Sequence, residues 1–536
     1  MIIGEVVEIQ ADSMIVETDT QRIAVNKLYH GNLGDKVKVT GEIKKRDIAI
    51  NRLMYQVNKA EIECLEEGSG LKTKIWKYVS VDQRFKNTLY GVYNDESSIS
   101  NSLSLQLSGF HWIVVALITP IIGRKNAGVT RKVIDILFTL IFGLTFNVVR
   151  LYLKNLRNKE MQIIILLLLY PNATRYISFW LSFGVYLVHS LSHRFENIPR
   201  IFTQLLVSLR VRYQYSFLEH SLYPVTKTLH GLLFITALGA PVYSKPFDLV
   251  YFILERYYGH LNHNVLRRFL IVGMPNFMML LIIFCIAYLG KKKILYFSTC
   301  LLVLWMMYFP FARYTFVDVG QGDASIVQQA YNSYTTVIDT GRSHAYYSLK
   351  STLYKLGIRS IDQIVITHED GDHSENMNRL VRDFGGQKIT EKGEEIDFFI
   401  QILEENKYDD INENSLILLS YTGVLFMGDA GIHQEFDIVS KYDNLSVSIL
   451  KCGHHGSKTS TDLEFLKHIK PRYAIISSKP SVYGHPHASV LRALHNTGTT
   501  AIQTSQEGSI TIIMTPFYQF INTSRGMFDI IDLVIK

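Results

Sequence analysis

Cysteine is scarce in this chain of 536 residues, with four in all, at Cys64, Cys285, Cys300 and Cys452. No CxxC pair occurs and two of the four fall inside apolar stretches, which excludes a disulfide framework and a zinc knuckle. Residues 1–15 mix apolar positions with acids and carry no basic start. No cleavable signal peptide is visible there, so membrane insertion is expected to rely on internal segments. A GxxxxGK[ST] phosphate loop is also missing, so energy for any driven step must come from elsewhere. Charge is not strongly one-sided. There are 55 basic and 48 acidic side chains, a net of +7, which suits nucleic acid or anionic lipid and equally the basic inner loops of a membrane protein.

Against these absences stands a hydrophobic content of 48% with a mean hydropathy of +0.11. That average is too apolar for a soluble enzyme and too polar for a pure transporter, so the chain is a mosaic. Its length exceeds what one core holds, and two or more domains are expected. Residues 1–60 show short, partly alternating runs at 4–9, 14–17, 22–25 and 36–41, separated by Asp12, Asp19, Gly31, Gly34 and Asp35. Four or five such strands predict a small β-barrel, an OB-like barrel being one candidate. A surface for stacking bases would want exposed aromatics, and Tyr29 is almost alone here. Residues 61–102 read as a linker.

Residues 103–312 read as a polytopic α-helical membrane domain. Apolar segments fall at 103–123, 133–153, 161–170, 176–188, 225–240, 247–254, 269–290 and 294–310, with Pro171-Asn172 interrupting the third and fourth. Broken segments of this kind are tolerated where protein or a watery cavity shields the backbone. The basic clusters at 124–132 and 291–293 are expected to face the cytoplasm, which puts the barrel and the C-terminal region outside. Lys154, Arg157 and Lys159 argue the other way. Gln106, Ser108 and His111 lie at lipid depth in the first segment, where polar groups face a partner helix or water. Arg210 and Arg212 either line a passage for an anion or snorkel to the surface.

From residue 313 onward the pattern alternates strands and helices and predicts an α/β sandwich with helices over the sheet faces. Acids and histidines recur where apolar strands end: Asp339, then His368-Glu369-Asp370-Gly371-Asp372-His373, then Asp429, His454-His455, and His485 with His487. A strand ending in a tight turn fans such side chains around one point, and five successive strand ends of this kind indicate a metal hydrolase.

The order of these residues resembles the metallo-β-lactamase superfamily, whose HxHxDH motif stands here as His368-x-Asp370-x-Asp372-His373. Residues 316–324 (FVDVGQGDA) and 453–457 (GHHGS) look like the C-terminal domain of the ComEC family of DNA-internalization proteins. Residues 107–111 (LSGFH) resemble that family's membrane "competence" signature. The resemblance implies an αββα sandwich with two metal positions. His368 and Asp370 would hold the first, Asp372 and His373 the second, Asp429 would bridge them, and His454 would close the second. No histidine lies between His373 and Gly428, so the superfamily's third-motif ligand is missing. Aspartate at 370 hardens the set, so manganese is the first choice and zinc or magnesium the alternatives. Asp372, His455 and His485 are the expected catalytic residues, with His455, His485 or His487 giving a proton to the leaving oxygen. Asp339 is expected to buttress a histidine rather than bind metal, His487 either to donate a proton or to cap a helix, and Asp318 and Asp323 to flank the site.

Two departures stand out. Ser374-Glu375-Asn376 replaces the usual Gly-Gly, and the chain begins in the barrel rather than in membrane helices, implying a shorter form or a missing start. The leading expectation is a multi-pass cell-membrane channel for single-stranded DNA, lined by Gln106, Ser108, His111 and Arg210, with an external nuclease acting on duplex DNA. A DNA-receptor protein, a cytoplasmic ATP-driven motor and a possible homo-oligomer are the partners the resemblance implies. The competing expectations are an anchored hydrolase of other phosphodiesters without transport, and a channel whose hydrolase domain is inactive.

Overall fold

The computed structural model describes residues 2–9, 14–18, 22–25, 35–45, 55–67, 158–169, 200–261, 269–289, 291–404, 408, 412–445 and 447–532, with single positions at 78, 82, 84, 149, 153, 179, 180, 183, 186 and 187. They fall into two compact units, Met1–Arg212 with Ser216–Leu270, and Tyr213–Tyr215 with Ile271–Lys536.

In the first unit, β1 (Ile2–Ile9), β2 (Met14–Glu17), β3 (Arg22–Val25), β4 (Lys36–Lys45) and β5 (Tyr55–Glu66) close into a barrel in the order β1-β2-β3-β5-β4. Alternation along the strands decides what fills it. Met14 and Val16, Ile23 and Val25, and Val37 and Val39 are spaced by two and all are buried, with Val6 and Val57 completing the core. β5 runs past residue 60, so the barrel uses residues read as linker.

The same unit holds helices Lys159–Leu169, Arg200–Arg212, Phe217–Gly239 and Lys245–Leu261. The last two pack together: Tyr258 hydrogen-bonds His230 at 3.2 Å, and Leu233, Ala237, Phe247 and Leu254 are buried. Arg210 is exposed in the last turn of its helix, where a cation suits the helix dipole. Gln106, Ser108 and His111, with the whole 103–123 segment and all of 133–153 but Val149 and Leu153, lie outside the described residues.

Among the described residues no helix is long and apolar enough to cross a membrane. The segment read as 269–290 shows why. Strand β7 (Ile271–Val272) pairs with β6 (Gln214–Tyr215), Gly273 turns at φ +135, and Asn276 caps a helix of only 12 residues, Phe277–Tyr288. At 1.5 Å per residue that helix is roughly 18 Å long against a hydrocarbon core of about 30 Å. The final apolar segment is helix Lys292–Met307.

The rest of the second unit is a four-layer sandwich. Its strands are β8 (Ala312–Phe316), β9 (Ser325–Gln328), β10 (Thr335–Ile338), β11 (Gln363–Val365), β12 (Gln387–Ile389), β13 (Phe399–Ile402), β14 (Ile417–Ser420), β15 (Val424–Phe426), β16 (Ile449–Lys451), β17 (Tyr473–Ile476), β18 (Thr500–Gln503), β19 (Ile510–Met514), β20 (Tyr518–Thr523) and β21 (Phe528–Asp532). One sheet runs β12-β11-β10-β9-β8-β19-β20-β21 and the other β13-β14-β15-β16-β17-β18. Between them lies an apolar core including Phe316, Val365, Phe426 and Ile475. Helices Tyr346–Lys355 and Met377–Phe384 cover the outer face of the first sheet, and Ile432–Lys441, Leu463–Ile469 and Ala488–Asn496 that of the second. Strands such as β15 and β17 are apolar and buried along their whole length because both their faces are covered. β10 and β11 are parallel, as are β15, β16, β17 and β18. Parallel pairing sets successive carboxyl ends on one edge of each sheet, the usual place for an α/β site.

Candidate metal centre

Each strand end delivers one part of the site. β10 leads to Asp339, β11 leads to His368, and the short helix Gly371–Ser374 carries Asp372 and His373. β15 leads to Asp429, β16 to the Gly453–Gly456 turn with His454 and His455, and the β8–β9 loop to Asp323. Close backbone approach holds these loops together. A Cβ on Gly322, at φ +118, would lie 2.4 Å from the Asp372 carbonyl oxygen, and one on Gly428, at φ +55, 2.9 Å from Ser415 Cβ. Asp339, His454 and His455 themselves adopt left-handed φ of +57, +43 and +54, strained conformations of the kind that cluster at functional sites.

Asp429 is the hub. Its carboxylate lies 3.3 Å from His373 Nε2, 3.5 Å from His455 Nε2, 3.9 Å from His368 Nε2 and 4.0 Å from His454 Nε2. The far nitrogens of the buried rings are occupied. His373 Nδ1 donates to Asp339 Oδ2 at 2.9 Å, and His455 Nδ1 to the Ser477 carbonyl at 3.0 Å. Asp339 is held in turn by the Thr367 N–H at 2.8 Å and the Thr367 hydroxyl. This fixes the tautomers so that the Nε2 lone pairs point inward. Asp323 binds Lys451 Nζ at 2.7 Å through Oδ2 and turns Oδ1 to within 3.4 Å of His455 Nδ1. Asp372 Oδ2 is 3.5 Å from His455 Nε2.

At this centre, among the described residues, five buried atoms have no hydrogen-bond partner: Nε2 of His368, His373 and His455, Asp429 Oδ1 and Asp323 Oδ1. Orphaned buried polar atoms are costly, and five around one point make a donor set for a cation. Asp323, His373, Asp429 and His455 each offer a ligand atom within 4.8 Å of the others. Electrostatics agree. Burial opposes charge on His373, but Asp429 and Asp339 lift its pKa well above the ordinary value. Burial is likewise outweighed at His455, where Asp429 and Asp323 raise it to about 9. Burial resists ionisation of Asp429, yet the surrounding imidazoles hold it well below the carboxylate range. The cavity therefore demands positive charge, and a divalent ion fits it.

The sequence-derived site residues fare unevenly. The side chains of His368, His373 and Asp429 lie together. Asp372 Oδ2 lies 3.5 Å from His455 Nε2. Asp370 lies at the edge, half exposed, with Oδ2 3.7 Å from His368 Nε2, and His454 is half-buried with Nδ1 on the Thr459 hydroxyl. His455, read as a proton donor, is instead buried among the metal-type donors. Its strained backbone turns it inward and its neighbour outward, which the pair Gly453-His454-His455-Gly456 does not reveal. His485 stays at the rim, its ring 6.3 Å from that of His454, while His487 caps helix Ala488–Asn496. Asp323 was placed only beside the site. Its signal was the lone lysine, Lys451, closing the apolar β16, because a buried lysine needs a carboxylate.

Residues 317–402 match the metallo-β-lactamase superfamily. The chain is 30% identical to ComE operon protein 3 of Bacillus subtilis (strain 168), over 36% of this chain and 32% of that protein. It is 29% identical to competence protein ComA of Neisseria gonorrhoeae, over 37% and 32%. With recombination protein 2 of Haemophilus influenzae it shares 27% identity over 37% and 28%. The chain thus spans about a third of the length of these relatives. It is a homologue of the ComEC-type competence proteins and carries a metallo-β-lactamase superfamily domain.

Proposed function

We propose that this chain hydrolyses phosphodiester bonds of DNA at a divalent-metal centre, as the external nuclease of a membrane protein that passes single-stranded DNA inward. The observation that carries the hydrolase is the convergence of three unpartnered imidazole Nε2 atoms on the Asp429 carboxylate, His373 facing its unpartnered Oδ1 and His455 and His368 its Oδ2. His373, His455 and Asp429 would hold one ion, with Asp372 at its edge; His368, Asp370 and His454 would hold a second that shares Asp429. Manganese is the first choice and zinc or magnesium the alternatives, since imidazole and carboxylate together accept any of them. In such a site a divalent ion neutralises charge on a phosphoryl oxygen and acidifies water. Asp339 and the Ser477 carbonyl keep the imidazoles aimed, and the buried strand ends exclude bulk water. His485, half-buried at the rim, is placed to exchange a proton with the leaving oxygen.

DNA as substrate rests on the competence relatives. The barrel order β1-β2-β3-β5-β4 supports an OB-like reading of the N-terminal strands. Segments 103–123 and 133–153 are apolar enough in sequence to span a membrane, with Gln106, Ser108, His111 and Arg210 as the lining we assign to the passage. A surface DNA receptor and an ATP-driven motor are its proposed partners. The test is cleavage of labelled linear duplex by the purified full chain loaded with manganese, zinc or magnesium. Asp429→Ala is expected to lower cleavage at least 100-fold and to release metal. Full metal binding by the wild-type chain without cleavage under any of the three ions would make the hydrolase domain an inactive DNA-binding module.

A further inference from the structure

We propose that Arg342 grips a non-bridging phosphate oxygen of the substrate beside the metal centre, and that Glu375 and Asn376 form the clasp that holds it there. This rests on the phosphodiesterase reading and adds to it the group that recognises the substrate anion. Arg342 follows β10 on the 340–342 loop, directly after Asp339. Its Nη2 lies 4.0 Å from Asp372 Oδ2, and Asp372 is itself 3.5 Å from His455 Nε2. At that separation the guanidinium and carboxylate attract but do not hydrogen-bond. The fork is left open toward solvent, with 41% of the side chain exposed. Its Nε is buried and has no hydrogen-bond partner among the described residues. A planar fork with unused donors at the mouth of an anion-processing site matches the paired acceptor oxygens of a phosphodiester.

The loop that carries it is unusually well held. Asn376 is fully buried, and its Nδ2 reaches the carbonyls of Thr340, Gly341 and Arg342 at 2.9, 3.0 and 2.7 Å. Glu375 Oε2 accepts the Ser343 N–H at 2.6 Å. The Thr340 N–H and hydroxyl both bond the His373 carbonyl, at 2.6 and 2.9 Å. The residues standing where related motifs carry Gly-Gly therefore tie the arginine loop to the helix bearing Asp372 and His373. A glycine pair has no side chains to do this. The clasp places the cation at a fixed height over the centre, which is what a positioned anion-binding group requires.

The test uses the full chain loaded with manganese and a short labelled duplex. Arg342→Ala is expected to lower kcat/KM about 10- to 100-fold, mainly through KM, with manganese stoichiometry unchanged. Arg342→Lys should recover part of the loss, and Asn376→Ala should reproduce it with the arginine still present. In chelator, where cleavage is off, Arg342→Ala should weaken duplex binding and reduce its salt slope by about 1. An unchanged KM overturns the inference, and so does loss of manganese together with activity, since Arg342 would then only pin Asp372. Failure of the metal-loaded wild type to cut DNA removes the hydrolysis reading instead. The chelator arm then decides alone: weaker binding by Arg342→Ala sustains the inference and equal binding overturns it.

Discussion

Asp339 never touches the Nε2 side of the centre, yet it decides what that side can do. Its Oδ2 accepts from His373 Nδ1 while both its oxygens are fed by Thr367. In Asp339→Asn an amide N–H₂ would face the ring nitrogen, driving the ring proton to Nε2 and blocking the lone pair that faces Asp429. Manganese affinity of the full chain, titrated by the ion's spin resonance, is expected to fall 10- to 100-fold with the fold intact. Unchanged affinity would show that His373 binds no metal. At this scale the sequence was informative where a residue type had one use. His368, His373 and Asp429 follow apolar strands and could hardly serve elsewhere. It was uninformative where local backbone chose between equals, as at His454 and His455, or where a partner lay far along the chain, as for Asp323 and Lys451.

Between elements, helices Tyr346–Lys355 and Met377–Phe384 are pinned by Asp383. Lys350 Nζ meets it at 2.5 Å, and Tyr346 donates its hydroxyl to the same oxygen. Burial opposes charge on Asp383, but Lys350 and the hydrogen bonds win and bring its pKa down to about 2 from 3.8. The folded value lies below the unfolded one, so its contribution is complete above pH 4 and is lost as pH falls through about 2. Asp383→Asn is expected to remove on the order of 2 kcal/mol at pH 7 and much less at pH 2, as compared by urea midpoints. A cost that does not change with pH would mean the charge contributes nothing. Phe426 ends β15 between the sheets, stacked on Phe316 at 5.7 Å and edge-on to Phe399 at 6.0 Å. Phe426→Ala should cost about 3–5 kcal/mol in the same assay. Strands such as β10 and β17 were legible as apolar runs with turn residues behind them. β9, β12, β13, β18, β20 and β21 were not, since three to six residues of mixed character become strands only by pairing with neighbours. The apolar run at 269–290 is not one continuous helix among the described residues. Hydropathy averages over Gly273 and Pro275, but the backbone breaks there.

For the whole molecule the proposed membrane reading raises the question of which side of a bilayer each part would occupy. Basic clusters at 124–132 and 291–293 are the strongest charges flanking the apolar segments, and cytoplasmic placement of both puts the barrel outside. The chain carries its own probe. Cys64 is exposed on β5, while Cys452 is buried with its thiol pushed up to about 12, chiefly by desolvation, so it stays unreactive in the folded protein. With Cys285 and Cys300 changed to serine, a membrane-impermeant maleimide applied to intact spheroplasts is expected to label Cys64 alone, and Cys64→Ser to abolish the signal. If labelling appears only after the membrane is permeabilised, the barrel lies inside. Lys154, Arg157 and Lys159 would then be the charges that set the orientation, and the proposed DNA passage would have to be redrawn in reverse.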